Sequence, residues 1–185
     1  MKGYFRKFVP LALATVFAAL SVIYPARAAP DVSIAELQAV AHALGFLEGV
    51  PRSGTIEIGI VYNAGEPDGR ALALQTAGRL TSISGPNQTT FKAVIIPTAD
   101  LLQGTDQLDA VFLNPGTSNE AATITDAVKR RHLVSISDDP ACLDTGCCVL
   151  MVRINGPVEI VLHTALAEIV GARFSTIFKM MVKRR

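Results

Sequence analysis

Apolar residues recur at Ile34, Leu37, Ala41, Leu44 and Leu47, the spacing of a single helix face. Ser33 stands just before this run and Glu36 lies three residues after it, the pairing of a capping box, so a first helix is predicted to start there. The segment TIEIGIVYN that follows is compact and β-branched and predicts a strand. AGEPDG then supplies turn residues, and RALALQTAGRLTSI returns to helical spacing at Leu72, Leu74, Ala77 and Leu80.

The alternation continues. FKAVIIP reads as a strand, TADLLQG as a short helix or turn, LDAVFLNPG as a buried strand, NEAATITDAVKRR as a helix and HLVSISD as another strand. Strands alternating with helices require crossover connections, which build a parallel sheet covered on both faces. The end of the chain changes character: CCVLMVRI and VEIVLH flank NGP, the pattern of an antiparallel hairpin, and TALAEIVG and FSTIFKMMV then read as helices. The expected fold is a single α/β domain with a mixed, mainly parallel sheet, helices on both faces and a C-terminal antiparallel hairpin. In the last helix Phe174, Ile177, Phe178 and Met181 share the helical spacing of an inward face, which leaves Met180 and the basic end outside.

The N-terminus adds the compartment. Lys2, Arg6 and Lys7 precede an apolar run from Phe8 to Tyr24, and Ala26-Arg27-Ala28 is a small-x-small cleavage site. These three regions in order are those of a secretory signal peptide, residues 1–28, and Pro10 interrupts the run before it reaches the length of a spanning helix. Cleavage leaves residues 29–185 as one exported domain, expected in the periplasm without stable membrane insertion. The chain has 17 Lys and Arg, four of them before Ala29, against 16 Asp and Glu, all after it; the exported part therefore carries −3. That balance offers no electrostatic footprint for nucleic acid. The short basic runs, KRRH and the terminal KRR, suit the last turns of helices, where cations favour the dipole.

All three cysteines, Cys142, Cys147 and Cys148, fall within seven residues. An oxidising compartment favours a structural disulfide over a redox-active pair, a metal site or free thiols, and no Cys or His pair has the spacing of zinc ligands. If CCVLMVRI is a strand throughout, Cys148 shares the apolar face of Leu150 and Val152, while Cys147 lies on the less buried face. Cys142 then reaches Cys147 across a loop that Gly146 allows to turn. Pairing of Cys142 with Cys148 stays open.

In open α/β sheets ligands sit beyond the carboxyl ends of the strands. Two loops and one strand end fit that location and supply the candidate ligand residues Asn63, Asn114, Ser118, Ser137 and Asp138. Ser118 and Asn119 compete for the ordinary role of a helix cap, and Asp138 and Asp139 for that of organising the turn before Pro140. Ser137-Asp138 lacks the flanking glycines of a nucleophile elbow, and His42, His132 and His163 have no evident partner, so no catalytic residue, metal ligand or cofactor is expected.

From Leu133 onward, LVSISDD, GCCVLMVRINGPVEIVLH, TALAEIVGARFS and TIFKMM resemble the YfiR-like family of small periplasmic proteins over the last third of the chain. The family commonly has Gly where this chain has Cys147, and Asn where it has His163. The resemblance implies a non-enzymatic regulator that docks on the periplasmic domain of an inner-membrane protein such as a diguanylate cyclase and holds it inactive, with Met180 a candidate contact. IEIGIVYN and DAVFLNPG also resemble one lobe of an ABC-transporter solute-binding protein, which implies capture of a small ligand instead.

Overall fold

The computed structural model describes residues 31–103 and 107–185; the expected signal peptide lies outside them. Helix α1 (Ile34–Leu44) begins on the expected capping box. The Glu36 N–H donates to the Ser33 hydroxyl at 3.1 Å, and the Glu36 carboxylate accepts from the Ser33 N–H at 2.9 Å. After it come β1 (Thr55–Tyr62), α2 (Gly69–Thr81), β2 (Thr90–Pro97), β3 (Ala110–Leu113), α3 (Ala121–Arg131), β4 (Ser135–Ser137) and α4 (Ala141–Thr145). The chain closes with β5 (Leu150–Ile154), β6 (Val158–Leu162), α5 (Thr164–Val170), α6 (Thr176–Met181) and β7 (Lys183–Arg184).

The strands form one sheet in the order β2-β1-β3-β4-β5-β6-β7. From β2 to β5 every neighbouring pair is parallel, β6 returns antiparallel to β5, and β7 runs parallel to β6. This is the expected α/β architecture. It has the expected cause: β3 and β4 are buried at every position, so both of their faces need a helical cover. On one side α1 and α2 touch each other and pack on β5, β1 and β2. On the other, α3 contacts α4 and α5. Ile58, Ile60, Phe112 and Ile136 are almost wholly enclosed between them, each contributing about 1.5–3 kcal/mol through removal of its side chain from water.

Four expectations need correction. Helix α2 turns Ala73, Thr76 and Leu80 inward and leaves Leu74 half exposed, because a small-residue face lets it sit close to β1. At Gly69 a Cβ would lie 2.3 Å from the Asn63 carbonyl oxygen, so only glycine fits that approach. Phe174 and Phe178 are buried as expected, Phe178 stacking on both Phe46 and Phe174, but Phe174 precedes α6 in a bridge to Leu47, and within the helix Ile177 and Met181 are exposed alongside Met180. The helix is too short to wrap its whole apolar spacing inward, and it ends at Met181. The terminal KRR is accordingly not a helix end but contributes β7, held by the Arg185 N–H donating to the Leu162 carbonyl at 3.0 Å.

The fourth correction concerns Cys147, which is only 1% exposed. The parity argument fails because β5 starts at Leu150, leaving Cys147 and Cys148 in the irregular approach to the strand. The turn that places Cys147 is the one expected: Gly146 takes a left-handed φ of 68° and caps α4, and the Cys147 N–H donates to the Cys142 carbonyl at 3.0 Å. In the structure all three cysteines are thiols, with the Cys142 and Cys147 sulfurs 2.6 Å apart. Burial pushes the Cys142 thiol up, whereas the hydrogen bond from Cys142 holds Cys147 below the usual thiol range.

Under oxidising conditions Cys142 and Cys147 are expected to form a disulfide, leaving Cys148 as a thiol. Closing so short a loop should stabilise the chain by about 2 kcal/mol relative to the reduced form. Non-reducing peptide mapping, with urea unfolding before and after reduction, checks both parts. Native alkylation of all three thiols in air-oxidised protein would overturn the pairing.

Candidate functional site

Each parallel strand near the centre of the sheet ends in polar residues: Asn63 follows β1, Asn114 follows β3, Ser137 and Asp138 close β4, and Arg153 to Asn155 close β5. The ends of β3, β4 and β5 meet around an open cavity of about 590 Å3. Its apolar walls include Pro115, Pro140 and Ile154. Its charged side chains are Glu36, Glu66, Asp138, Asp139 and Arg153. The position follows from topology: the connection leaving β1 goes to β2 on one side and that leaving β3 goes to β4 on the other, which opens a gap beyond the strand ends.

Three of the five predicted ligand residues build this gap without lining it. Asn63 is buried; its Oδ1 accepts from the Gly65 N–H at 2.7 Å and its Nδ2 donates to the Gly116 carbonyl at 3.3 Å, tying the loop after β1 to the loop after β3. Asn114, also buried, accepts from the Thr76 hydroxyl at 2.8 Å and so fixes the end of β3 against α2. Ser137 accepts from the Asp139 N–H at 3.1 Å, shaping the turn that presents Asp138. Ser118 is exposed and not among the cavity's lining residues. Neither it nor Asn119 caps α3. A single turn of tighter helix over Thr117–Glu120 precedes α3, so its N-cap is Glu120 and carries no side-chain cap.

Asp138 is the predicted residue that does line the cavity. Its Oδ1 is enclosed and has no hydrogen-bond partner. Burial, with the nearby Glu36 and Asp139 charges adding to it, pushes its carboxyl up to about 6. Asp139 is better served, its Oδ1 accepting from the Ala141 N–H at 2.9 Å, which is the turn-forming role expected for this pair. Across the cavity the Arg153 guanidinium donates to Glu159 at 2.7 Å, while its Nε is enclosed and unpartnered. Glu159 is held below the usual carboxylate range by Lys183 first and Arg153 second.

Sequence reasoning did not single out Glu36, Glu66 or Arg153. Glu36 was legible only as half of a capping box, yet its second oxygen accepts from the Ile154 N–H at 3.2 Å, a contact spanning 118 residues. Glu66 sits in the loop after β1, a location the strand-end rule already marked. Arg153 was hidden in the hairpin pattern. Among the described residues no three His, Cys, Asp or Glu side chains are arranged to hold a metal ion, and no helix is long and apolar enough to cross a membrane.

No protein-family profile and no curated protein matches the sequence; the YfiR-like resemblance therefore finds no support in these comparisons. Solved structures do match. An ABC domain from Streptococcus pneumoniae, solved in complex with L-Trp, aligns with a TM-score of 0.58 at 13% identity, over 83% of this chain and 62% of its own. A conserved domain protein from Vibrio cholerae O1 biovar El Tor aligns with a TM-score of 0.57 at 12% identity, over 83% of this chain and 60% of its own. A ligand-free, open substrate-binding protein from Clostridium difficile aligns more weakly, with a TM-score of 0.49 at 12% identity over 70% and 54% of the two chains. At such identities the first two establish a shared fold, and this chain spans less than two thirds of their length.

The buried Asp138 makes a prediction about stability. Its folded-state pKa lies above the unfolded value, so the folded protein holds this proton more tightly. Its contribution to stability therefore falls as pH rises from about 4 to about 6, by up to roughly 3 kcal/mol. Asp138→Asn should match the parent in urea unfolding at pH 3.5 and exceed it at pH 7. A variant less stable than the parent at pH 7 would show that the charged form is favourably held.

Proposed function

We propose that this chain is a non-enzymatic, exported binding protein that takes a small ligand into the cavity at the ends of β3, β4 and β5. The observation that carries the reading is the cavity itself, apolar-walled at the strand ends, with Asp138 and Arg153 on its lining each keeping an enclosed polar atom, Oδ1 and Nε, without a partner. Buried polar atoms are rarely left unsatisfied, and a bound molecule with one donor and one acceptor would satisfy both. The fold shared with an ABC domain solved in complex with L-Trp supports the same reading.

Binding should stabilise the chain by mass action. In a thermal-shift screen of amines, amino acids, carboxylates and sugars, at least one class should raise the Tm in a saturable way. Asn155→Trp, which places a bulky ring at an exposed lining position, should abolish that shift without lowering the Tm of the free protein. A screen with no saturable shift, or a shift that survives the tryptophan, would count against the cavity.

A second reading, regulation by docking, is favoured by a different surface. Ile177, Met180 and Met181 are 61%, 74% and 62% exposed on α6, beside Val158 at 55% and a hollow of about 310 Å3 lined by Val158, Ile160 and Met181. Lys179, Lys183 and Arg184 surround them, a basic rim for an acidic partner surface. The occupant on this reading is the periplasmic domain of an inner-membrane protein such as a diguanylate cyclase. Met180→Glu should then leave Tm unchanged, release the co-purifying partner and raise cellular cyclic di-GMP as deletion does. Unchanged cyclic di-GMP in the deletion strain would remove this reading.

A further inference from the structure

We propose that the ligand of the strand-end cavity is an organic cation, a small molecule that presents a protonated amine to Asp138 and lays an apolar body against Pro115, Pro140 and Ile154. This rests on the binding reading above and adds the charge class of the ligand.

The argument is one of which charges are already matched. Glu36 gives one oxygen to the Ser33 N–H and hydroxyl and the other to the Ile154 N–H, so its lone pairs are engaged by the fold. Asp139 is engaged by the Ala141 N–H. Arg153, the cationic side chain on the lining, is paired with Glu159 at 2.7 Å through its Nη2. That leaves Asp138, whose Oδ1 has no hydrogen-bond partner, and Glu66, whose partner is the Asn119 amide at 3.4 Å. An anion entering here would meet four carboxylates against one guanidinium, whose partner Glu159 is shared with Lys183. A cation would meet the half-buried carboxylate of Asp138 and the exposed one of Glu66.

Size and arrangement point to a molecule instead of a metal ion. The cavity, about 590 Å3, is far larger than an ion needs, and among the described residues the carboxylates do not converge as a ligand set. Its walls place proline rings and an isoleucine next to the acidic pole, which suits an amine on a hydrocarbon or aromatic body. The free Arg153 Nε–H is a donor, so a ligand that also carries an oxygen acceptor would satisfy it. The charges that act on Asp138 are Glu36 from α1 and Asp139 from its own turn, and Arg153 from β5 and Glu66 from the loop after β1 share the lining with it. Since burial raises Asp138 to about 6, protonation below that pH removes the counter-charge.

Three compounds with one body and different charge test this: phenethylamine, 2-phenylethanol and phenylacetate, titrated into the purified full chain by isothermal calorimetry. At pH 7.5 the amine should bind at least about tenfold more tightly than the alcohol, and the carboxylate more weakly than either. Amine affinity should fall about tenfold at pH 5.0, following the loss of ionised Asp138, and Asp138→Asn should erase the preference for amine over alcohol while the chain stays folded. Preference for phenylacetate, or amine binding indifferent to both pH and Asp138→Asn, would overturn the cation while leaving the cavity a binding site. If none of the three binds, the thermal-shift screen decides: hits confined to acids or neutral sugars overturn the cation alone, and a screen with no hits overturns both readings.

Discussion

A strand buried on both faces can carry polar side chains only where it ends. In β3 and β4 every position is enclosed, and β1 is nearly so, which makes the hydrogen-bonded ladder the one polar feature allowed in the middle of the sheet. Chemistry is therefore displaced to the strand termini. Because β1 to β5 run parallel, their carboxyl ends lie along the same edge, and Asn63, Asn114, Ser137, Asp138 and Arg153 are delivered there from positions 90 residues apart in the chain. The site is thus a consequence of the same constraint that holds the core.

The residues at that edge divide the work by how well they are satisfied. Asn63, Asn114 and Ser137 meet partners within the protein and stiffen the loops around the gap, with Asn63 joining two of them directly. Asp138 and Arg153 retain atoms that the fold does not satisfy, and so does Asn114 at its amide nitrogen. Burial of Asp138 beside Glu36 and Asp139 disfavours its ionised form, so the free protein holds a polarised site at a cost to stability near neutral pH. A ligand that relieves this imbalance gains affinity from strain already present. Elsewhere the three phenylalanines Phe46, Phe174 and Phe178 anchor α6, and that anchoring lets Ile177, Met180 and Met181 face outward on a fixed platform.

Much of the architecture was legible because periodicity and local chemistry agreed. The capping box at Ser33, the crossover alternation, the hairpin around NGP and the tight turn at left-handed Gly146 each depend on neighbours in sequence, although the short helix α4 before that turn reads as a loop in the sequence. What was not legible depends on distance. The two residues of β7 read as a basic helix end, since nothing local announces that β6 lies alongside. Glu36 belongs to the cavity through a bond to Ile154 at the other end of the domain, and the outward turn of Ile177 follows from Phe178 docking on Phe46. Cys147 was placed by strand parity on a face it does not have, because the strand starts later than the apolar run. In the candidate site the loops were foreseen by the strand-end rule, but only Asp138 among the five proposed residues lines the cavity.

The central claim is that this strand-end gap is where the protein binds. The most direct measurement is amide chemical-shift mapping of the isotope-labelled chain during titration with whichever compound stabilises it. The account predicts saturable shifts centred on Glu66, Gly116, Asp138 and Asp139 before Pro140, Ala141 after it, and Ile154, residues from four separate segments that only the fold brings together. Shifts confined to α6 and the Val158 hollow, with those six amides unmoved, would contradict it.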